Sequence, residues 1–194
     1  MQISHRVKLA GSLLFAGGMI FFIFNSIAEG IYPNYNVGVN ALSDLGAIGA
    51  PTRFLWDGQL FLSGILSLLG TYVLFYKSSW PDNINMKNRK PVSVIYLVPT
   101  MGSILVSLFP ENFILAIHSL SAFITFITGG VSAAYAYRLT RVPFRYFSIV
   151  LGVITLVSIP FLLDRSLGFG LVERLVVYPF VIWSIAFGSY LMAQ

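Results

Sequence analysis

Long apolar stretches separated by short polar ones dominate the pattern along the chain. Six of them, at residues 7–28, 54–76, 92–109, 113–137, 146–163 and 175–193, approach or exceed the roughly 20 residues that a helix needs to cross a bilayer. The third and fifth are the shortest, and each contains a proline, Pro99 or Pro160, which is expected to kink a membrane helix. The pattern therefore predicts an all-α integral membrane protein, a bundle of six transmembrane helices.

The composition agrees with this prediction. Hydrophobic residues make up 57% of the 194 positions and charged residues only 10%, with a mean hydropathy of +0.82. A soluble domain carries about 25% charged residues on average. No loop is long enough to fold by itself, so we expect one transmembrane domain over residues 1–194.

The twelve basic residues are distributed unevenly between the two predicted sides of the bundle. Nine lie on the side that holds both termini, including the loop at residues 77–90, and only Arg53, Arg165 and Arg174 lie on the other side. By the positive-inside rule we expect both termini to be cytoplasmic, and the long loop between helices 1 and 2 to be external, in a plasma membrane. A short helical turn is expected within that loop at residues 39–45. The basic residues form no patch with interleaved aromatics, so nucleic acid is not an expected partner.

Acidic residues gather on the side opposite the basic ones. Of seven, only Asp82 lies on the basic side. The others lie at or near external helix ends: Glu29, Asp44, Asp57, Glu111, Asp164 and Glu173. His118 lies about a turn and a half inside the external end of helix 4. Ionisable groups at this depth are costly and usually face a partner or a water-filled cavity, so any chemistry is expected on this side.

Small and polar residues at spacings of three, four and seven form stripes on three helices, which places each stripe on one helix face. The stripes are Gly11, Gly18, Phe22, Asn25 and Glu29 on helix 1; Asp57, Gly64, Ser67 and Thr71 on helix 2; and His118, Ser121, Thr125, Thr128, Gly129 and Ser132 on helix 4. The small residues predict close helix packing. The external ends of the stripes predict a shared polar pocket at Glu29, Asp57 and His118. The alternatives are an ion pair of Asp57 with Arg53, and a hydrogen bond from His118 to a carboxylate or to the long loop.

The chemistry that such a pocket could support is acid–base or ligand-binding chemistry. Asp44, Asp57 and His118 are the candidate catalytic groups. The candidate ligand-binding groups are Glu29, Ser43, Arg53, Glu111, Glu173 and Arg174, with the arginines as phosphate contacts. No metal site is predicted, because too few histidines occur for zinc; a divalent cation among the carboxylates is a minor alternative, and no other cofactor is indicated.

Three groups of motifs carry a family resemblance. They are IYPNYN, LSDLGA and APT around the long loop, LFPENF and IHSLSAF before and in helix 4, and FGLVERLVVYPFVIW in helix 6. The chain resembles the prokaryotic membrane family called domain of unknown function 998, whose motif positions fall here at Tyr32, Pro33, Ser43, Asp44, Leu45, Gly46, Phe109, Pro110, His118, Glu173, Arg174, Tyr178 and Pro179. That resemblance implies a six-helix fold and little chemistry.

A more distant similarity is to the six-helix Frag/DRAM/Sfk group, which is linked to glycolipid-anchor remodelling and lipid handling. It rests on LSDLG at residues 42–46 and AIHSLS at residues 116–121, with Leu45 in place of that group's threonine. The similarity implies membrane lipids as partners.

Three functions are consistent with these observations. The first is handling of a lipid or glycolipid headgroup at an acidic, histidine-containing pocket near the external face, with or without catalysis. The second is a structural or interaction protein whose external charges only clamp the long loop. The third is transport of a small solute or ion, which the lack of charges in the inner halves of the helices disfavours. Whether the protein is an enzyme, and its oligomeric state, stay open.

Overall fold

The computed structural model of the chain describes residues 5–75 and 86–194. Six α-helices occur there: α1 (His5–Ile31), α2 (Arg53–Phe75), α3 (Met86–Leu108), α4 (Leu115–Tyr135), α5 (Phe144–Ser158) and α6 (Phe169–Met192). All six are long and apolar enough to cross a membrane, α4 and α5 together with the 3-10 segments that continue them. Within these ranges there are no strands, so the predicted all-α membrane fold with six spans is confirmed. Residues 76–85, which include Asp82 and most of the predicted polar loop at residues 77–90, lie outside the description.

The six helices form a closed ring in chain order. Each helix packs against the next, and α6 returns to pack against α1. The α1–α6 contact is close enough that a Cβ on Gly11 would lie 2.6 Å from the carbonyl oxygen of Gly188, and a Cβ on Gly188 would lie 2.6 Å from that of Gly11. Small residues let membrane helices approach this closely, as the glycine stripe predicted.

The start of α6 and the end of α5 differ from the bounds of the apolar segments in the sequence. The α-helix α6 begins at Phe169, whereas the apolar segment begins at residue 175. Glu173 and Arg174 lower the hydropathy of this first turn and a half, yet both side chains are buried and hydrogen-bonded. At the end of α5, Pro160 lies at the start of a 3-10 turn, Ile159–Leu163, that replaces the last α-helical turn of the predicted span.

The bundle has two ends, named here the loop end and the terminal end. At the loop end, the long connection at residues 32–52 contacts the α3–α4 connection and the first turn of α6. The Ser43 hydroxyl donates to Glu111 at 2.6 Å, and Leu171 N donates to Gly38 O at 3.2 Å. Helical structure in this connection is a 3-10 turn at Ser43–Gly46, near the turn predicted at residues 39–45. At the opposite, terminal end, Arg141 N donates to the Tyr190 hydroxyl at 3.3 Å in the turn before α5.

A dense aromatic core fills the half of the ring near the terminal end. Tyr96, Trp183 and Phe187 are almost completely buried, and the Trp183 and Phe187 rings stack with centroids 5.0 Å apart. The Trp183 indole donates to Ser148 Oγ at 3.1 Å, which pairs its N–H. These aromatic side chains pack the interior of the ring in this half.

Candidate functional site

The long loop is an ordered cover over the loop end of the bundle. Its backbone at Ile48 makes two hydrogen bonds with the Asn112 side chain, at 2.8 and 3.0 Å. Thr52 donates its hydroxyl to Leu45 O at 2.7 Å, and the Leu45 side chain is fully buried. Because backbone and side chains are both anchored, the loop has one fixed position over the helix ends.

The largest anchor is the Arg174 cluster, formed by Arg174, Glu29, Tyr35, Asn25 and Tyr178. Arg174 Nη2 donates to Glu29 Oε1 at 2.6 Å and to the Tyr35 hydroxyl at 2.8 Å, and Nε lies 3.2 Å from the same Glu29 oxygen. Arg174 Nη1 donates to three carbonyl oxygens, those of Val37 at 2.8 Å, Asn40 at 3.1 Å and Gly170 at 2.8 Å. Every nitrogen of the guanidinium is therefore used, on α1, on α6 and on the loop.

Neutral groups complete the Arg174 cluster. Asn25 Nδ2 donates to Glu29 Oε1 at 3.0 Å, and Asn25 Oδ1 accepts the Trp56 indole N–H at 3.2 Å, which links α1 to α2. Tyr35 donates its hydroxyl to Ala41 O at 2.6 Å. Burial raises the pKa of Tyr35, so its phenol stays protonated and keeps this bond at neutral pH. The cluster is a clamp that holds the loop to α1 and α6.

Asp44 and Glu111 form a second group at the loop end. Asp44 Oδ2 accepts the Ala41 N–H at 2.9 Å and the Asn40 amide at 3.2 Å. Glu111 accepts the Ser43 hydroxyl. Burial raises the pKa of Glu111, and the nearby Asp44 raises it further, although the Ser43 hydrogen bond acts the other way. Both acids serve the loop's own conformation.

Asp57 lies apart from both groups, beside the 3-10 turn. Its Oδ2 is 3.5 Å from Arg53 Nε, which is the i,i+4 ion pair named above as the alternative to a pocket. A Cβ on Gly46 would lie 2.5 Å from Asp57 Oδ1, so the glycine is what allows the turn to approach α2. That Oδ1 atom and Arg53 Nε are buried without a hydrogen-bond partner among the described residues.

His118 and Glu173 are buried acceptors on different helices. His118 Nδ1 is 2.8 Å from Phe109 O, and because a carbonyl only accepts, Nδ1 carries the hydrogen. The neutral ring then presents Nε2 as an acceptor. Glu173 Oε2 accepts the Leu42 N–H at 2.5 Å, its one hydrogen-bond donor within the described part of the chain. Only 6% of His118 and 8% of Glu173 is exposed.

Both residues line a cavity of about 90 Å³ between α1, α2, α3, α4 and α6. Ser43, His118 and Glu173 border it at the loop end and are named here the cavity mouth. Its deep end is bordered by Ser67 and by Tyr96 and Ser184, which are hydrogen-bonded to each other. Glu173 and Ser184 are eleven positions apart in α6, about 16 Å at 1.5 Å per residue.

The cavity wall between these ends is mostly apolar. Its apolar side chains include Phe21, Leu60, Val106, Val177 and Phe180. One water needs about 10–15 Å³ of such space, so the cavity has room for several waters or one slender chain.

The predicted site residues thus fall into separate places. Ser43, His118 and Glu173 meet at the cavity mouth, whereas Glu29 and Arg174 form the clamp, Asp44 and Glu111 brace the loop, and Arg53 pairs with Asp57. Of Glu29, Asp57 and His118, the ends of the three stripes, only His118 borders this cavity. Among the described residues no three acidic or histidine side chains are grouped as metal ligands.

One lining stripe was missed in the sequence. Tyr96, Thr100 and Ser103 border the cavity from α3. Their spacing of four and three is the same helical signal that marks α1, α2 and α4. The stripes on the other three helices end in an ionisable residue at the loop end, whereas α3 ends at Leu108, so its polar face was not recognised.

Comparison with known proteins identifies the family of the chain but supplies no activity. No curated protein and no solved structure matches the chain significantly. The family model described as "Protein of unknown function (DUF998)" matches residues 15–190, which take in parts of all six helices, the long loop and the cavity mouth. The chain therefore belongs to the DUF998 family, and is a polytopic membrane protein of six apolar helices.

Proposed function

We propose that the protein binds a membrane lipid or another amphiphile, with one hydrocarbon chain in the cavity and the polar head at the cavity mouth. The observation that carries this proposal is the polarity of the cavity: apolar walls run from a buried carboxylate and imidazole at one end into the membrane-spanning part of the bundle. An amphiphile has the same division between head and chain.

The dimensions favour one chain over two. The cavity is about 16 Å long by the rise of α6, with a volume of about 90 Å³. A narrow space of this kind has no room for a second chain beside the first. One short hydrocarbon chain matches this length, and a lipid with two chains would leave one of them in the bilayer.

The alternative function, a structural protein whose external charges only clamp the long loop, applies to the Arg174 cluster and not to the cavity mouth. The Arg174 cluster satisfies all its charges internally and holds the loop in place, as a clamp does. Transport is disfavoured, because the described residues that line the cavity below its mouth include hydroxyls but no charged group.

We also propose that the loop end faces outward from a plasma membrane and that both termini are cytoplasmic. The support is the excess of basic residues, nine of twelve, on the side of the termini. The chain has no cysteine, so single cysteines at the exposed positions Val39 and Val142 can be labelled in whole cells with a membrane-impermeant maleimide. Labelling of Val39→Cys alone is expected; labelling of Val142→Cys alone would reverse the orientation.

The binding proposal is tested by filling the cavity. Ala122 lines it on α4, and Ala122→Phe puts an aromatic ring into the space; Ala116→Phe, on the exposed face of the same helix, is the matched control. Native mass spectrometry of protein released from detergent should show one retained amphiphile on the wild type and on Ala116→Phe, and none on Ala122→Phe. Retention by Ala122→Phe at the wild-type level, or no retained molecule on any of the three, overturns the proposal.

A further inference from the structure

We infer that the head group bound at the cavity mouth is a hydrogen-bond donor without negative charge, a hydroxyl or an ammonium group, and not a carboxylate or a phosphate. This inference rests on the proposed function and names the chemical class of its ligand. The polar atoms at the mouth and along the upper wall can accept hydrogen bonds, whereas their own hydrogens are already used in bonds within the protein.

The two buried groups at the mouth offer lone pairs. Glu173 receives one N–H, from Leu42, and a carboxylate has about four acceptor sites. His118 uses its Nδ1 hydrogen on Phe109 O, which leaves Nε2 of the neutral ring to accept. The two residues belong to α6 and α4 and form no ion pair with each other within the described chain, so both can face a head group between them.

Hydroxyl hydrogens at the mouth and along the upper wall are already committed. Ser43 donates its hydroxyl to Glu111 at 2.6 Å. The wall hydroxyls donate to backbone carbonyls: Ser63 to Gly17 at 2.8 Å, Thr100 to Leu97 at 2.7 Å, Ser103 to Pro99 at 3.0 Å and Thr125 to Ser121 at 2.7 Å. An anionic head needs donors, and these groups provide acceptors.

The basic side chains nearest in sequence to the mouth residues are not available to an anion. Arg174, next to Glu173, gives all its nitrogens to Glu29, Tyr35 and carbonyl groups. Arg53 lies beside Asp57 and over the Phe54 ring, and it does not border the cavity. Among the side chains that the structure describes, no free arginine lies at the mouth to make the phosphate contact that the sequence predicted. A buried acid there also disfavours a second negative charge.

The experiment compares head groups on one chain. The probes are an unbranched undecyl chain with a hydroxyl, an amine, a carboxylate or a phosphate monoester as its head and with bromine a few carbons from that head. The bromine is placed there because Trp56 lies against Gly46 of the turn beside the mouth. Protein in nanodiscs is titrated with each probe, and tryptophan quenching by bromine is recorded. Trp56 lines the cavity and is only 4% exposed, so bromine within the bilayer does not touch it. The Trp56 contribution is the part of the quenching that disappears in Trp56→Phe.

The alcohol and the amine are expected to quench Trp56 at concentrations at least about tenfold lower than the carboxylate and the phosphate, the size of one hydrogen bond to a charged group. Quenching by the carboxylate or the phosphate at equal or lower concentration overturns the inference and leaves the proposed function standing. The absence of Trp56 quenching by all four probes overturns the proposed function itself.

Two variants locate the discrimination at the mouth. Glu173→Gln keeps an oxygen for Leu42 N–H and removes the charge, so the gap between amine and carboxylate should shrink by about tenfold. His118→Asn keeps a donor for Phe109 O and removes Nε2, so alcohol binding should weaken while the melting temperature stays near that of the wild type. If both variants rank the four heads as the wild type does, the head is recognised elsewhere and the inference is wrong.

Discussion

Glu173 and Arg174 are adjacent in α6, and both are buried, yet their surroundings differ in kind. All three guanidinium nitrogens of Arg174 are hydrogen-bonded, and its ion pair with Glu29 is 2.6 Å long. Within the described part of the chain Glu173 has one hydrogen bond, and it borders a cavity that His118 borders from another helix. Two charges of similar depth thus serve different purposes: one is fully paired and fixes the loop, and the other keeps acceptor capacity that faces open space.

The comparison bears on how charged residues in membrane helices are interpreted. A charge within the bilayer boundary is costly and usually marks function. In this bundle the cost at Arg174 is offset by partners within the protein, which makes it a structural group. The charge that points to function is the one whose partners are incomplete, and only the arrangement of the neighbouring groups distinguishes the two.

The largest expected effect comes from opening the Arg174 cluster. Arg174→Gln leaves Glu29 buried without its cation and the loop carbonyls without their donors, which costs about 3–5 kcal/mol. At roughly 2–4 °C per kcal/mol the melting temperature should fall by about 10 °C. Arg174→Lys should restore little, because a point charge cannot reach both Glu29 and the carbonyls.

Arg53→Gln is the control for charge removal at the same end. Its ion pair with Asp57 is 3.5 Å long, and the two side chains are 32% and 16% exposed. A partly exposed pair with one long contact contributes about 1 kcal/mol. Thermal unfolding followed by circular dichroism in one detergent compares the three variants with the wild type. A melting temperature of Arg174→Gln equal to that of Arg53→Gln would contradict the assignment of a clamp.

The smallest expected effect is a pH dependence from Glu111. Its pKa is raised in the folded protein, chiefly by burial, so its contribution to stability is full at low pH and is lost as pH rises through the raised value. Glu111→Gln keeps an acceptor for the Ser43 hydroxyl and has no charge to bury. The variant should therefore be slightly more stable than the wild type at pH 7, and equal to it near pH 4.

Asp164→Asn provides a matched control of opposite sign. Its hydrogen bonds from Ser166 hold the pKa of this exposed acid below its ordinary value, so its contribution is lost as pH falls. Melting temperatures are measured between about pH 3 and pH 7. At pH 7, Glu111→Gln should melt above the wild type and Asp164→Asn below it; both differences should shrink toward acid, that of Asp164→Asn only below about pH 4. Parallel curves for both variants would show that the burial of Glu111 has no energetic consequence.

Sequence reasoning predicted the fold well because membrane spans depend on local hydropathy. It predicted the six helices and the close packing at Gly11. For Asp57 the structure has the alternative interpretation, an ion pair with Arg53. It placed the start of α6 too late, since hydropathy treats Glu173 and Arg174 as loop residues when partners from the loop bury them.

The site was harder to predict than the fold, because it depends on contacts between distant segments. The helix stripes grouped His118, which borders the cavity, with Glu29 and Asp57, which are paired with Arg174 and Arg53. Helical spacing fixes the face of one helix and says nothing of how that face is turned toward the next. The pairing of Leu42 with Glu173, 131 positions apart, had no sequence signal at all.

The most direct test of the central claim measures retained amphiphile and melting temperature together on Glu173→Gln. If Glu173 belongs to a ligand site, the variant should keep the melting temperature of the wild type within a few degrees and lose most of the amphiphile detected by native mass spectrometry. If instead it retains the wild-type amount and melts about 10 °C lower, as expected for Arg174→Gln, then Glu173 is a second clamp and the cavity mouth is not a binding site.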